Sequence, residues 1–357
     1  MNGQMEAPGV PAGNGHSDAF RHIFAMKGEC DSNSTNEWVQ KEGERLFIID
    51  VDCGVDDALA LMMLFAAPRA RVLAVTCTFG NTSLQQVCSN VLRVLAICKQ
   101  TEVPVYGGAE ASLLGDVISA THFFGLDGLG DVAVVPGQEP PPSQDQLQQE
   151  PAALALIRLA KQWPGKINLV AVGPLTNLAL AVSLDSSFPS LLRSVYIMGG
   201  NMEGRGNDSV SAEFNFFADP EAAFAVLNQY SCPLHIASLE FCSSQVLPWD
   251  FFETCFACGS EKATFVQRIM EFCSTVSKSE LNMGWAPCDC FAVAAATEPG
   301  FIEASEEVAA SVELAGHLTR AQMVVDWKGR WPNKRKIRLF TRCDVTLLKK
   351  LLTNMMR

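Results

Sequence analysis

Four aspartates are crowded into segment 47–60, which reads FIIDVDCGVDDALA. They are Asp50, Asp52, Asp56 and Asp57, and they directly follow an apolar run. Carboxylates this close repel each other and raise each other's pKa unless a cation offsets their charge. The dipole at a helix N-terminus accounts for acidic residues such as Asp56 and Asp57, but it leaves Asp50 and Asp52 unexplained. The cluster therefore predicts a metal site.

The positions of these aspartates around a strand end indicate which of them can share a cation. Asp50 and Asp52 are two residues apart at the end of a predicted strand, so both point to one face of the sheet. Gly54 permits a sharp turn into a helix. Asp56 and Asp57 then lie about 100° apart around the helix axis, so one can reach a shared cation while the other faces a neighbouring ligand. Ligation by oxygen alone suits Ca²⁺ or Mg²⁺ rather than zinc or copper.

From residue 46 onward, predicted strands alternate with predicted helices. The predicted strands are Leu46–Val51, Ala70–Thr78, Val103–Tyr106, Ile167–Val172, Ser194–Met198 and Leu234–Ser238. The predicted helices are Asp57–Phe65, Leu84–Lys99, Ala152–Gln162, Leu175–Leu184 and Pro220–Asn228. This alternation is typical of the α/β class, with a mostly parallel central sheet and helices on both faces. Ligands bind at the carboxyl ends of the strands in such sheets.

Three segments lack this periodicity. Residues 1–45 are rich in Gly, Ser, Asn and charge, which predicts a disordered N-terminal extension to a single catalytic domain over residues 46–357. Residues 107–151 and 199–215 form two long loops, and long loops in compact domains are often lids or binding loops.

The composition narrows the possible partners and the compartment. A net charge of −12 argues against nucleic acid or an anionic membrane as a partner. No apolar run is long enough to span a bilayer, and the N-terminal residues do not resemble a signal peptide. The 13 cysteines are odd in number and scattered through apolar segments, which predicts reduced thiols and a cytoplasmic location.

The acidic segment is the first of seven motifs that carry a resemblance to a known family. After DVDCGVDDA come, in order, VTCTFGNTS, HFFGLDGLGD, LVAVGPLTNLALA, IMGGNMEGRGNDSVSAEFNFFADPEAA, PCDCFAVAAATEP and LTRAQMVVDW. In this order they resemble the nucleoside hydrolases of the inosine-uridine type, whose signature DxDPGxDDA has proline where this chain has Cys53. The resemblance extends from about Leu46 to the C-terminus. It implies a single domain with a Rossmann-like core and assembly into a homodimer or homotetramer.

The resemblance also implies an activity and a set of site residues. The activity is hydrolysis of the N-glycosidic bond of purine or pyrimidine ribonucleosides to free base and ribose, with one Ca²⁺ per subunit. The implied calcium ligands are Asp52, Asp57, Asp289 and the backbone carbonyl of Val172. Asp52 would also take a proton from the water bound to that ion. The positions that match ribose-binding residues are Asp56, Asn81, Asn207, Glu213 and Asn215, and those that match apolar pocket residues are Met198 and Phe214.

The chain departs from the family pattern where the leaving base would be protonated. Cys288 stands in place of the histidine that usually precedes the last metal-binding aspartate, as it does in a branch of the family. Phe124 replaces a second histidine and leaves His122 two residues earlier. Because a free thiol is mostly protonated at neutral pH, Cys288 is a candidate proton donor, and the alternative is that it only packs. Trp285 either stacks on the base or belongs to the core, and the sequence does not specify the base.

Two other functions are compatible with parts of this pattern. A catalytically silent member of the same fold would bind metal and ribose or a nucleoside without turnover, which the loss of the two histidines favours. A haloacid-dehalogenase-type phosphatase would use Asp50 as its nucleophile and Mg²⁺ as its cofactor, but Gly54 and the Asp56–Asp57 pair fit that chemistry poorly.

Overall fold

A nine-stranded sheet forms the centre of the part of the chain that the computed structural model describes, namely residues 43–132, 144–279 and 284–357. Its strands are β1 Arg45–Val51, β2 Ala70–Cys77, β3 Val105–Gly107, β4 Ile167–Ala171, β5 Ser194–Met198, β6 Leu234–Ala237, β7 Ile302–Val312, β8 Met323–Asp326 and β9 Lys336–Cys343. The strand order is β3-β2-β1-β4-β5-β6-β9-β7-β8. The strands from β3 to β9 in that order are parallel, whereas β7 and β8 are antiparallel additions.

Helices pack on both faces of this sheet and bury a separate apolar cluster on each. They are α1 Val55–Ala66, α2 Leu84–Cys98, α3 Thr121–Phe124, α4 Ala152–Gln162, α5 Thr176–Leu184, α6 Phe188–Leu191, α7 Phe214–Ala218, α8 Pro220–Gln229, α9 Leu239–Ser244, α10 Trp249–Cys255, α11 Glu261–Ser279, α12 Cys288–Thr297 and α13 Val345–Asn354. The predicted α/β class with a mostly parallel sheet is therefore confirmed. None of the helices in the described part of the chain is long and apolar enough to cross a bilayer.

Strand β1 shows how the sequence places the acidic cluster. Phe47 and Ile49 face the apolar cluster on one side of the sheet, and Leu46 and Ile48 face the one on the other. Burial of both faces explains the unbroken apolar run before the aspartates. Strand β1 pairs with β2 on one side and with β4 on the other. The strands that follow β1 in sequence are first added on one side of it, as β2 and β3, and then on the other side, as β4 to β6. The direction of strand addition therefore switches at β1. Ligand sites of α/β sheets lie at this kind of switch point.

The predicted bounds match the observed ones or differ from them by one residue, except for two starts that were wrong by two residues. Strand β3 begins at Val105 rather than at Val103, because Pro104 has no N–H to donate to a neighbouring strand. Helix α1 begins at Val55 rather than at Asp57, because the Asp57 carboxylate accepts a hydrogen bond from the Gly54 N–H and caps the helix. The predicted extension over residues 1–45 falls almost entirely outside the described residues, and so does much of the Pro/Gln-rich run near residue 140.

His235 in β6 lies in a row of three rings on the sheet. Its ring stacks on Tyr196, with centroids 4.6 Å apart, and on Phe340, with centroids 6.1 Å apart. Its Nδ1 atom is buried and has no hydrogen-bond partner among the described residues. Burial, and then the positive charge of Arg338, lower the pKa of His235 from 6.5 to about 4. The neutral ring therefore contributes stability above pH 6.5, and this contribution is lost as the pH falls towards 4.

We expect His235→Phe to reduce this sensitivity to acid, because phenylalanine keeps the stacking and cannot be protonated. We compare the free energy of unfolding of the variant minus that of the wild type. This difference should be about 2 kcal/mol larger at about pH 5 than at about pH 7.5. Urea unfolding at the two pH values measures this difference. The matched control is His317→Phe at an exposed position, which should show no such change. An equal effect of His235→Phe at both pH values would contradict the explanation.

Candidate active site

The turn that follows β1 is held together by its own carboxylates. Asp57 Oδ1 accepts a hydrogen bond from the Asp52 N–H at 3.2 Å, and Asp57 Oδ2 accepts one from the Gly54 N–H at 2.9 Å. Asn81, which follows β2, donates its backbone N–H to Asp52 Oδ2 at 2.9 Å and its side-chain Nδ2 to Asp57 Oδ2 at 3.0 Å. Asn81 thereby bridges the two carboxylates and fixes them at the carboxyl edge of the sheet.

Two glycines allow the backbone to approach Asp52 closely. A Cβ atom on Gly80 would lie 2.1 Å from Asp52 Oδ2, and one on Gly173 would lie 2.9 Å from Asp52 Oδ1. A side chain at either position would therefore displace the carboxylate. Asp52 Oδ1 is buried and has no hydrogen-bond partner among the described residues. A buried carboxylate oxygen without a donor is costly, so this atom is available to a group that is not part of the chain.

Three further carboxylates converge beside Asp52. One oxygen from each of Asp56, Asp57 and Asp289 lies within 4.8 Å of the others, and Asp289 comes from the first turn of α12. Burial, and then the charge of Asp57, raise the pKa of Asp52 well above its usual value. Burial, and then the charge of Asp56, do the same to the pKa of Asp289. Burial also raises the pKa of Asp57 to about 8 and that of Asp56 to about 6.

This donor set fits a hard divalent cation. It consists of oxygens of Asp56, Asp57 and Asp289, whose mutual repulsion a cation would relieve. The predicted ligand Asp52 is not part of this group of three, although its Oδ1 is buried without a donor among the described residues. The structure brings together the predicted ligands Asp57 and Asp289 and adds Asp56, which the family resemblance had assigned to ribose. The carbonyl oxygen of Val172, the fourth predicted ligand, accepts a hydrogen bond from Asn215 Nδ2 at 2.9 Å.

The loop over residues 199–215 supplies the polar groups beside this cluster. Glu213 is buried and caps α7, accepting hydrogen bonds from the backbone N–H groups of Gly200 at 2.8 Å, Asn215 at 2.9 Å and Phe216 at 3.2 Å. Burial raises the pKa of Glu213 to about 7. Asn215 Nδ2 also donates to the Met198 carbonyl oxygen at 3.1 Å. The end of this loop, residues 211–215, is therefore buried against the ends of β4 and β5, whereas positions in its middle such as Val210 are exposed.

The other predicted pocket residues lie in or beside the same loop. Asn207 Oδ1 accepts a hydrogen bond from the Phe214 N–H at 3.0 Å, so the asparagine side chain orders the loop around the aromatic ring. The Phe214 side chain is 8% exposed and that of Met198 is 5% exposed. The side chains of Met198 and Asn215 also touch, with Nδ2 3.6 Å from the Met198 sulfur.

Asp50, two residues before Asp52, anchors the end of β1 through buried hydrogen bonds. It is fully buried, and its Oδ1 accepts hydrogen bonds from the Thr76 hydroxyl and from Asn177 Nδ2, the latter at 2.9 Å. Burial raises the pKa of Asp50 to about 7. Asn177 also donates to the Cys77 carbonyl oxygen at 2.9 Å and accepts from the Ala109 N–H at 2.9 Å. Sequence reasoning missed the roles of Thr76 and Asn177, although both lie in motifs that carried the family resemblance.

The candidates for protonating the leaving base lie in different environments. Cys288 is the first residue of α12 and is partly exposed. His122 in α3 is exposed. Burial raises the pKa of Asp208, and the charge of His122 partly offsets this effect. Trp285 is buried and packs on Phe252, with ring centroids 5.1 Å apart. The structure therefore places Trp285 in the core, and it leaves Cys288 as the candidate next to the carboxylates.

Comparison with known proteins identifies the family to which these features belong. The family model for inosine-uridine preferring nucleoside hydrolases matches residues 47–350. The inosine-uridine preferring nucleoside hydrolase of Leishmania major is 32% identical over 295 residues, which cover 82% of this chain and 91% of that protein. Uridine nucleosidase 1 of Arabidopsis thaliana is 39% identical over 198 residues, 55% of this chain and only 57% of that relative.

Solved structures agree with this assignment. An inosine-guanosine nucleoside hydrolase superposes with a TM-score of 0.78 at 30% identity, covering 87% of this chain and 98% of the other. The plant nucleoside hydrolase PpNRh1 superposes with a TM-score of 0.80 at 25% identity over the same shares. The phosphatase alternative does not agree with this family match, and the carboxylate of its nucleophile, Asp50, is fully buried with Oδ1 bonded to Thr76 and Asn177. The chain belongs to the inosine-uridine preferring nucleoside hydrolase family.

Proposed function

We propose that this protein hydrolyses the N-glycosidic bond of ribonucleosides to free base and ribose. The observation that carries the proposal is the buried Asp52 carboxylate, which is held by Asn81 and has one oxygen without a donor among the described residues. It lies beside carboxylates that can hold a cation. We assign the catalytic domain to residues 46–357.

We propose Ca²⁺ as the resident cation, held by Asp52, Asp57, Asp289 and the Val172 carbonyl, with an oxygen of Asp56 beside those of Asp57 and Asp289. The proposal is supported by the all-oxygen donor set and by carboxylates whose pKa values are raised when no cation offsets their charge. When bound, a divalent cation lowers the pKa of a coordinated water and so favours hydroxide at neutral pH.

The chain's own groups account for the remaining steps of the proposed reaction. Asp52 Oδ1 accepts a proton from the attacking water, whose oxygen forms the new bond to the anomeric carbon. The carbon–nitrogen bond breaks with oxocarbenium character, and the surrounding carboxylates stabilise that positive charge. Asp56, Asn81, Asn207, Glu213 and Asn215 bind the ribose hydroxyls, and Met198 and Phe214 cover the pocket. Cys288 donates a proton to the departing base.

Calcium is expected to stabilise the folded protein, and more strongly at higher pH. Because the pKa of Asp57 is raised to about 8, its proton must leave before the cation binds, so the apparent affinity should increase between about pH 6 and about pH 8. A free Ca²⁺ concentration of one hundred times Kd should raise the free energy of unfolding by about 3 kcal/mol. Thermal unfolding with and without Ca²⁺ at the two pH values measures the effect.

Two variants control this measurement. Asp289→Asn removes a proposed ligand and should lose most of the calcium response. Asp185→Asn makes the same change at a surface aspartate paired with Lys161, and it should respond like the wild type. A calcium response that survives in Asp289→Asn would refute the proposed ligand set.

Ribonucleosides should be cleaved far better than 2′-deoxyribonucleosides. The side chains proposed for the hydroxyls include Glu213 and Asn215, both buried, and a missing hydroxyl leaves such groups unpaired. Discrimination of about 10⁴-fold in kcat/KM is the expected scale. Chromatographic release of uracil from uridine and from deoxyuridine tests the prediction, and equal rates would contradict it. Binding of uridine by calorimetry without release of uracil would instead establish the catalytically silent alternative.

We further propose a cytoplasmic location and self-association into a homodimer or homotetramer. The location is supported by the cysteines of the described residues, all of which are free. Self-association is supported by exposed tryptophans next to the edge strand β8, where Trp327 is 52% exposed and Trp331 is 37% exposed. Light scattering that finds only monomers at micromolar concentration would rule out the assembly.

A further inference from the structure

Two cysteines from different helices meet beside the carboxylate cluster. Cys242 lies in α9 and is fully buried, whereas Cys288 begins α12 and is partly exposed. The Cys242 sulfur is 3.9 Å from the Cys288 carbonyl oxygen. After burial, interaction with the Cys288 thiol is the next cause that raises the pKa of Cys242. An isolated thiol would be unremarkable chemically, but two adjacent thiols can be joined covalently.

The surroundings of this pair connect it to the active site. The carboxylates whose charges act on Cys242 are those of Asp289 and Glu213, which belong to the proposed metal and ribose sites respectively. Cys290 lies two residues beyond Cys288 on the same helix and points to a different side of it. Cys242 is therefore the candidate partner of Cys288, and its thiol lies close enough to Asp289 and Glu213 for both charges to act on it.

We propose that Cys242 and Cys288 form a modification site at which a peroxide produces an intramolecular disulfide. The partly exposed Cys288 sulfur attacks the peroxide, so that the O–O bond breaks, a sulfenic acid forms and one water leaves. The Cys242 sulfur then attacks the sulfenic sulfur, so that the S–S bond forms and a second water leaves. The two thiols together lose two electrons and two protons, and the peroxide gains them.

The order of the two steps follows from burial and proximity. Cys242 is fully buried, which keeps its sulfur away from a peroxide in solution, whereas Cys288 is partly exposed. Its contact with Cys288 makes the second step intramolecular, which offsets its weak reactivity. The disulfide would tie α9 to the start of α12 and remove the proposed proton donor, so turnover should stop until a dithiol reduces the bond.

The test uses the full-length protein with Ca²⁺, treated with hydrogen peroxide and then blocked with N-ethylmaleimide. Chymotryptic peptide mapping by mass spectrometry should find Cys242 linked to Cys288, together with the loss of these two thiols from the free-thiol count. Dithiothreitol should restore both thiols and any activity lost. The peptide readout does not depend on turnover, so it decides the proposal even if the protein proves inactive on nucleosides.

Three variants separate this site from general oxidation. In Cys242→Ser, peroxide should carry Cys288 to the sulfinic or sulfonic acid, which dithiothreitol does not reverse. Cys290→Ser should form the linked peptide like the wild type, and so should Cys258→Ser, which removes an exposed thiol. Absence of the linked peptide in the wild type, or equally irreversible oxidation of Cys288 with and without Cys242, would overturn the proposal.

Discussion

Asp52→Asn is expected to lower kcat for uridine and inosine by about 10⁴ or more. Removal of a general base alone costs about 10²–10⁴, and this carboxylate is also a proposed metal ligand. The amide keeps the size of the side chain, and its oxygen can still accept the Asn81 N–H. It cannot accept a proton from water at the position of Oδ1. Steady-state release of base, measured by chromatography, gives the change in kcat.

The same variant should not be less stable than the wild type without metal. Asp52 is buried among like charges, and a neutral amide removes part of that repulsion. Thermal unfolding in a chelating buffer therefore distinguishes a lost function from a lost fold. Asp185→Asn serves again as the surface control and should keep full turnover. Near wild-type turnover by a well-folded Asp52→Asn variant would exclude Asp52 as the base.

Cys288→Ala should lower kcat for uridine and inosine by about 10²–10⁴, the range for loss of a general acid. It should spare p-nitrophenyl riboside, whose leaving group departs without a proton. Because both substrates need the same metal and the same base, the ratio of the two kcat values isolates protonation of the leaving group. Cys288→His should raise turnover of purine nucleosides if the larger ring fits beside α12.

Cys290→Ala is the matched control, since this thiol is fully buried in the same helix. Its effect should be equal on the natural nucleosides and on p-nitrophenyl riboside. If Cys288→Ala leaves cleavage of uridine and inosine unchanged, the thiol only packs. The proton would then come from water or from the exposed His122.

The part of the fold that sequence reasoning predicted is the part with simple periodicity. Strand Ser194–Met198 is a buried apolar run, and its predicted bounds were correct. The other predicted strands were found with bounds that differ by one or two residues at one end or both. Among the strands after residue 300, β9 is parallel to β6, whereas β7 and β8 form an antiparallel edge. No strand was predicted there, because β7 (IEASEEVAASV) does not keep a strict alternation and β8 has only four residues.

The sequence predicted which types of residue form the candidate site, but it did not predict which of them contact each other. The carboxylates of the first turn of α1 are visible as a local cluster, but the approach of Asp289 depends on where α12 packs. The two hydrogen bonds of Asn81 to Asp52 and Asp57 depend on the pairing of β1 with β2. Cys242 gave no signal in the sequence, because a buried cysteine in an apolar helix is ordinary.

The most direct test of the proposed function is release of free base from uridine and inosine in buffer without phosphate. Wild-type protein loaded with Ca²⁺ should release base and an equal amount of ribose, measured as reducing sugar. The same protein after chelation should release neither, and added Ca²⁺ should restore both. Release of base that is unaffected by chelation would contradict the proposed metal site, and no release with Ca²⁺ present would contradict the proposed hydrolysis.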